Sequence, residues 1–203
     1  PLKYLRKLDE KEIEKEIKSI IKEVSLKEEF LNRFPHEFSG GQAQRIGIAR
    51  VLLSKAKIII LDEPVSALDV SVQSQILNLL NDLQKKFELS YIVISHDLAV
   101  IEAICDRVMV MYFGDIVEKS DAKELFKKPY HPYTNLLLKS IPKTNQKIEI
   151  QSLVETELPD PINPPKGCSF YSRCENKTEK CKDINPSETV KENRKFKCFF
   201  PNN

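Results

Sequence analysis

The sequence predicts an α/β fold, a mostly parallel sheet with helices, with a helical subdomain before it and a small cysteine-rich extension after it. Three observations predict this. Two short apolar runs, Ile58-Ile59-Ile60-Leu61 and Tyr91-Ile92-Val93-Ile94, flank a helical pattern, and such strand–helix–strand spacing gives parallel pairing with right-handed crossovers. Apolar residues recur at helical spacing through residues 2–34. Cys168, Cys174, Cys181 and Cys198 gather behind a proline-rich stretch.

In chain order, Leu2, Leu5 and Leu8 recur every three residues, and Ile13, Ile17, Ile20, Ile21 and Val24 follow a three-four spacing. Phe30, Leu31 and Phe34 continue a short apolar segment that Pro35 stops. The polar face mixes Lys with Glu, which argues against a membrane-surface helix. Next, Ser39, Gly40 and Gly41 offer three backbone N–H groups without bulky side chains, leading into a helix near Gln42. The inward candidates of that helix are Ile46, Ala49, Val51 and Leu53. Unpaired N–H groups and the positive dipole end suit this junction to a phosphate.

The strand at 57–61 ends in Asp62 and Glu63. One acid can hold Mg²⁺ and the other can orient or deprotonate an attacking water. Val72, Ile76, Leu79, Leu80, Leu83 and Phe87 share one face of the following helix. The strand at 91–94 ends at Ser95-His96, with Asp97 as N-cap of the helix beyond. Arg107–Phe113 and Ile116–Lys119 read as two strands about a Gly114-Asp115 turn. Ligands of such sheets bind at the carboxyl ends of strands, where Asp62, Glu63 and His96 fall. Taken singly, Gly40-Gly41 is a helix-entry turn, Asp62-Glu63 a solvated strand end and His96 a satisfied polar residue.

Their order joins them. Phe38-Ser39-Gly40-Gly41-Gln42 resembles the signature motif of ATP-binding cassette (ABC) ATPases, with Phe where the family usually has Leu. Ile58–Pro64 resembles their Walker B, Val65-Ser66-Ala67-Leu68-Asp69 their D-loop, and Ser95-His96-Asp97 their switch histidine. His131-Pro132-Tyr133-Thr134, followed by leucines, is similar to ATP-binding subunits of the dipeptide, oligopeptide and nickel importer branch. His131 itself reads as structural.

The resemblance implies the C-terminal part of a P-loop NTPase ABC cassette. Its expected divisions are a helical subdomain segment (1–37), an ATPase core (38–145), and a proline-rich linker with the Cys-rich extension (146–203). It implies ATP and Mg²⁺ as cofactors, Glu63 as general base, Asp62 on Mg²⁺, His96 sensing the γ-phosphate and Asp69 coupling two sites. Ser39, Gly40, Gly41 and Gln42 would serve the nucleotide of a second ATP-binding subunit in a head-to-tail dimer. The other partners implied are transmembrane permease subunits and a separate substrate-binding protein, at the cytoplasmic face of the membrane. A glycine-rich loop of the form G-x-x-x-x-G-K-[ST] does not occur among the five glycines, and the first residue is Pro1. The expectation is a piece of a longer reading frame, inactive by itself. The rival is an inactive regulatory module lending only its signature face.

Composition excludes some classes. A net charge of +2 with 31% charged residues is no nucleic-acid footprint. No apolar run approaches the ~18 residues of a membrane span. In the tail, Pro159, Pro161, Pro164 and Pro165 read as an extended linker. The segment behind them has too few apolar residues to fold by burial alone, which points to a metal held by its cysteines. Thiolates suit zinc or an iron–sulfur cluster. The tail resembles the extension of peptide-importer ATPases, some of which carry a four-iron, four-sulfur cluster. The cluster stands first here, zinc second, four free thiols third. Cys105 reads as a small core residue.

Overall fold

The computed structural model describes residues 2, 8–141, 160 and 162–202. Leu5, Pro159, Pro161 and most of the expected linker lie outside these residues. The chain forms two compact units, Pro1–Ile104 and Cys105–Asn203.

In the first unit, α1 (Glu10–Glu23) begins at a capping box. Asp9 Oδ1 accepts from the Glu12 N–H at 2.8 Å, and Glu12 Oε2 accepts from the Asp9 N–H at 3.0 Å, so two orphan donors are satisfied. Pro35 does not end a helix. It opens a 3₁₀ turn, Pro35–Glu37, after another at Glu28–Asn32, because its fixed φ suits the first position of a turn. Helix α2 (Gly40–Leu52) follows. Its buried face is Ile48, Ala49 and Leu52; Ile46 and Leu53 are half-buried and Val51 is exposed, so the expected inward face is rotated. The α1 end is fastened to α2 by Arg45, which donates to the Val24 carbonyl at 2.9 Å.

Strand β1 (Ile58–Asp62) runs parallel to β2 (Ser90–Ile94), with Asp62 opposite Ile94. Helix α3 (Val70–Phe87) makes the crossover and buries Ile76, Leu79, Leu80 and Leu83, as its periodicity requires. Ile59 is buried, whereas Ile58, Ile60, Ile92 and Ile94 are exposed on the opposite face of the pair. Helix α4 (Leu98–Ile104) starts where Asp97 Oδ1 accepts from the Ala99 N–H at 2.9 Å.

In the second unit, β3 (Arg107–Tyr112) and β4 (Asp115–Asp121) form the expected hairpin, turned by Gly114 at φ 83°. The tail then does something its composition did not suggest. Strands β5 (Thr189–Lys191) and β6 (Arg194–Phe196) extend the hairpin into an antiparallel sheet of order β3-β4-β6-β5. Helices α5 (Ala122–Lys127), α6 (Pro132–Lys139) and α7 (Glu179–Asp183) complete the unit. Phe170 and Phe196 are buried among tyrosines: Phe170 lies 5.2 Å from Tyr112 and 5.4 Å from Tyr133, and Phe196 lies 5.1 Å from Tyr130, ring centre to ring centre. Gly167 permits a close backbone approach to α7, where a Cβ would run into the Cys181 and Lys182 carbonyls.

At the centre of this unit is an ion pair. The Glu118 and Arg194 side chains are 0% and 4% exposed and meet at 2.9 Å. Glu118 also accepts from the Tyr130 N–H at 2.8 Å and the His131 N–H at 2.9 Å. Arg194 donates to the Lys128 carbonyl at 2.6 Å and stacks on the Tyr130 ring at 4.0 Å. A buried charge pair is tolerated when most of its remaining lone pairs and protons find partners; of Arg194 only the buried Nε–H has none among the described residues.

The cysteine expectation is corrected here. Among the described residues no group of three or more His, Cys, Asp or Glu side chains is placed to hold a metal ion. None of the five cysteines is joined in a disulfide. Burial pushes the Cys168 and Cys174 thiols up and the Cys198 thiol to about 11, with the neighbouring cysteines adding to the rise. The premise failed because the tail does not fold on its own composition. It buries two of its four phenylalanines, Phe170 and Phe196, against earlier parts of the unit, and the Glu118–Arg194 pair fastens it there.

Candidate nucleotide site

The site lies in the first unit. Ser39 is the N-cap of α2: its hydroxyl accepts from the Gln42 N–H at 3.4 Å, and Gln42 Oε1 accepts from the Ser39 N–H at 3.1 Å. This capping box occupies two donors. The Gly40 and Gly41 N–H groups fall in the first turn, where no intrahelical acceptor exists. Ser39 and Gly40 are exposed, and Gly41 and Gln42 half-buried.

Glu63 ends β1 in the left-handed region, at φ 47°. A non-glycine residue there costs about 1–3 kcal/mol and persists only where its surroundings over-determine it. The surroundings do so. Its N–H donates to the Ile94 carbonyl at 2.9 Å, and its own carbonyl accepts from Ser66 Oγ at 3.2 Å. The twist turns the side chain toward the end of β2. There Oε1 accepts from the His96 N–H at 3.1 Å and meets His96 Nδ1 at 2.8 Å. The hydrogen bond to Glu63, then its charge, raise the His96 pKa above the ordinary imidazole value. Both contacts use Oε1, so Oε2 has no bond to the described residues.

Asp62 is exposed, and its carboxylate makes no hydrogen bond or ion pair with the described residues. A cavity of about 310 Å³, lined in part by Gln44, Ile48, Ile59 and Tyr91, reaches it. An exposed carboxylate without a partner fits Mg²⁺, which binds through one or two carboxylates while keeping several waters.

Asp69 caps α3: its Oδ1 accepts from Ser71 Oγ at 2.7 Å and from the Val72 N–H at 3.0 Å. The Ser71 hydroxyl first, then the Val72 N–H, hold the Asp69 carboxyl below its usual range. Sequence reasoning missed Gln73. Its amide donates to the Val65 and Leu68 carbonyls, each at 3.1 Å, and fixes the turn between Glu63 and Asp69. The available signal was a half-buried amide among the apolar positions of the first turn of α3.

The structure thus brings Asp62, Glu63 and His96 to one end of a parallel strand pair, with Asp69 leading into α3, the helix that connects the two strands. Ser39–Gln42 open the helix packed beside α3. This arrangement defines an ATP-binding cassette. The matches agree with it. Residues 2–66 match the family described as "ABC transporter", and residues 117–181 match "Oligopeptide/dipeptide transporter, C-terminal region". The chain belongs to the ABC transporter family of ATP-binding proteins, in its dipeptide and oligopeptide branch.

The dipeptide transport ATP-binding protein DppF of Haemophilus influenzae is 48% identical over 201 residues, 98% of this chain and 62% of that protein. The chain spans under two thirds of the length of this curated relative. Among solved structures, cbiO1 from Clostridium perfringens, part of an ABC transporter complex, is similar at 35% identity and a TM-score of 0.55, covering 59% of this chain and 47% of that one. A dimeric structure of a bacterial ABC transporter cassette is similar at 30% identity and a TM-score of 0.50, covering 57% of this chain and 49% of that one. No helix among the described residues is long and apolar enough to cross a membrane.

Proposed function

We propose that this chain is part of an ATP-binding subunit that hydrolyses ATP to energise peptide uptake by an ABC importer. The observation that carries the reading is the Glu63–His96 pair, 2.8 Å apart at the end of β1 and β2. His96 and its own N–H hold Oε1 of Glu63, which leaves Oε2 to accept a proton from an attacking water. A general base must have one acceptor free and its carboxylate plane fixed, and Glu63 has both. Asp62 would hold Mg²⁺, which supplies charge neutralisation at the phosphates when bound. His96 would contact the γ-phosphate. The N–H groups at the start of α2, with Ser39 and Gln42, would face a nucleotide held by a second subunit, and Asp69 would stand between the two sites.

The partners proposed are a second ATP-binding subunit, permease subunits and a substrate-binding protein, with the chain at the cytoplasmic face. The dimeric cassette among the similar structures and the dipeptide transport protein among the relatives support this. The functional division proposed is 1–37, 38–145 and 146–203. The test is Glu63→Gln in the assembled transporter. It keeps ATP binding and lowers hydrolysis by roughly 10²–10⁴-fold, the usual contribution of a general base. Undiminished turnover in the variant would refute the assignment. Absence of turnover in the wild-type assembly would favour the regulatory-module reading.

A further inference from the structure

Two consecutive glycines open α2, although glycine is among the poorest helix formers. The structure gives a steric reason. A Cβ on Gly41 would stand 2.6 Å from Val72 Cγ1, and one on Gly40 would stand 3.0 Å from Leu68 Cδ2. Carbon atoms pack best at about 3.5–4.0 Å, so the first contact is a hard overlap. Leu68 can swing away. Val72 cannot: a β-branched side chain in a helix has one strongly preferred rotamer. Its backbone is pinned as well, by Asp69 Oδ1 on its N–H at 3.0 Å. The next residue, Gln73, ties the same turn to Val65 and Leu68.

We propose that Val72 is a positioning residue, whose γ-methyl fills the space left by Gly41 and locks the first turn of α2 to the first turn of α3. The signature turn and the D-loop are then one rigid piece. Movement of Asp69 carries the Gly40 and Gly41 N–H groups with it, and Val72 touches no nucleotide. This deepens the functional reading above and rests on it where ATP is concerned. It also separates two roles for Gly41. A glycine needed only to let a phosphate approach is insensitive to residue 72. A glycine needed for the helix contact is rescued by shrinking residue 72.

The experiment is a double-mutant cycle of Gly41→Ala, Val72→Ala and the pair, read in two ways. In thermal unfolding of the chain, Gly41→Ala lowers the midpoint by several degrees, and adding Val72→Ala restores most of the loss. In the assembled transporter, Gly41→Ala displaces the signature turn by about 1 Å and lowers kcat on the order of 100-fold with KM for ATP nearly unchanged. The double variant recovers at least about tenfold of that, a coupling within the range of touching residues. Additive effects in the unfolding cycle overturn the lock. Coupling in unfolding without recovery of kcat overturns the positioning role. A wild-type assembly without ATP turnover overturns the functional reading instead, and the unfolding cycle still decides the lock.

Discussion

Acid should weaken the second unit through one imidazole. His131 is 1% exposed, caps α6, and accepts the Tyr133 N–H on Nδ1 at 3.1 Å. Its proton therefore sits on Nε2. Burial lowers its pKa from 6.5 to about 4, partly opposed by a hydrogen bond with the Lys197 backbone. The folded value is depressed, so the unfolded chain takes up the proton first. The stabilisation is complete above pH 6.5 and is lost as pH falls toward 4. Linkage over that interval gives a loss of about 2 kcal/mol by pH 5 and about 3 kcal/mol below pH 4. Protonated Nδ1 would also face the Tyr133 N–H donor to donor. The assay is urea unfolding at pH 7.5 and pH 5.0, followed by tyrosine absorbance. The protein has no Trp and six Tyr, of which Tyr112, Tyr130, Tyr133 and Tyr171 report on the second unit. His131→Asn keeps a capping acceptor and cannot titrate. Its stability at pH 7.5 is lower, but its loss between the two pH values is smaller than wild type by about 2 kcal/mol. Equal losses in wild type and variant would refute the reasoning.

Two other outcomes follow from the same unit. Glu118→Ala removes the partner of a buried Arg194 and orphans the Tyr130 and His131 N–H groups, and should cost about 3–5 kcal/mol in urea unfolding; a cost below about 1 kcal/mol would mean that water reaches Arg194. Because no His, Cys, Asp or Glu group among the described residues is placed to hold a metal ion, a strong chelator should leave the unfolding transition of the second unit unchanged, and metal analysis should find neither iron nor zinc in stoichiometric amount; a chelator-dependent transition would reverse the correction made above.

The first unit was largely legible. The spacing of Ser39 and Gln42 is itself a capping-box pattern, and the structure forms that box. The apolar stripe of α3 and the strand–helix–strand order needed only periodicity. The α2 face was misread because Gly40-Gly41 remove two positions of side-chain information from the first turn, leaving Ile46, Val51 and Leu53 as plausible as Ile48 and Leu52. The Glu63–His96 contact depends on a left-handed backbone at a glutamate, which no propensity encodes. In the tail the error had a different origin. The ring partners of Phe170 and Phe196 (Tyr112, Tyr133 and Tyr130) lie 58, 37 and 66 residues earlier in the chain, and a local count of apolar residues cannot see them.

The Glu118–Arg194 pair also imposes a timetable on synthesis. Its two halves are separated by 76 residues. At about 5–20 residues per second, the β3–β4 hairpin waits roughly 4–15 s after it is made before the strand that completes it exists. During that interval the Glu118 carboxylate lacks the Arg194 guanidinium that it meets in the folded unit. A nascent chain halted before Arg194 would leave the hairpin's inner face open to chaperones and proteases, and synthesis of β5 and β6 works as the release step for the β3–β4 hairpin.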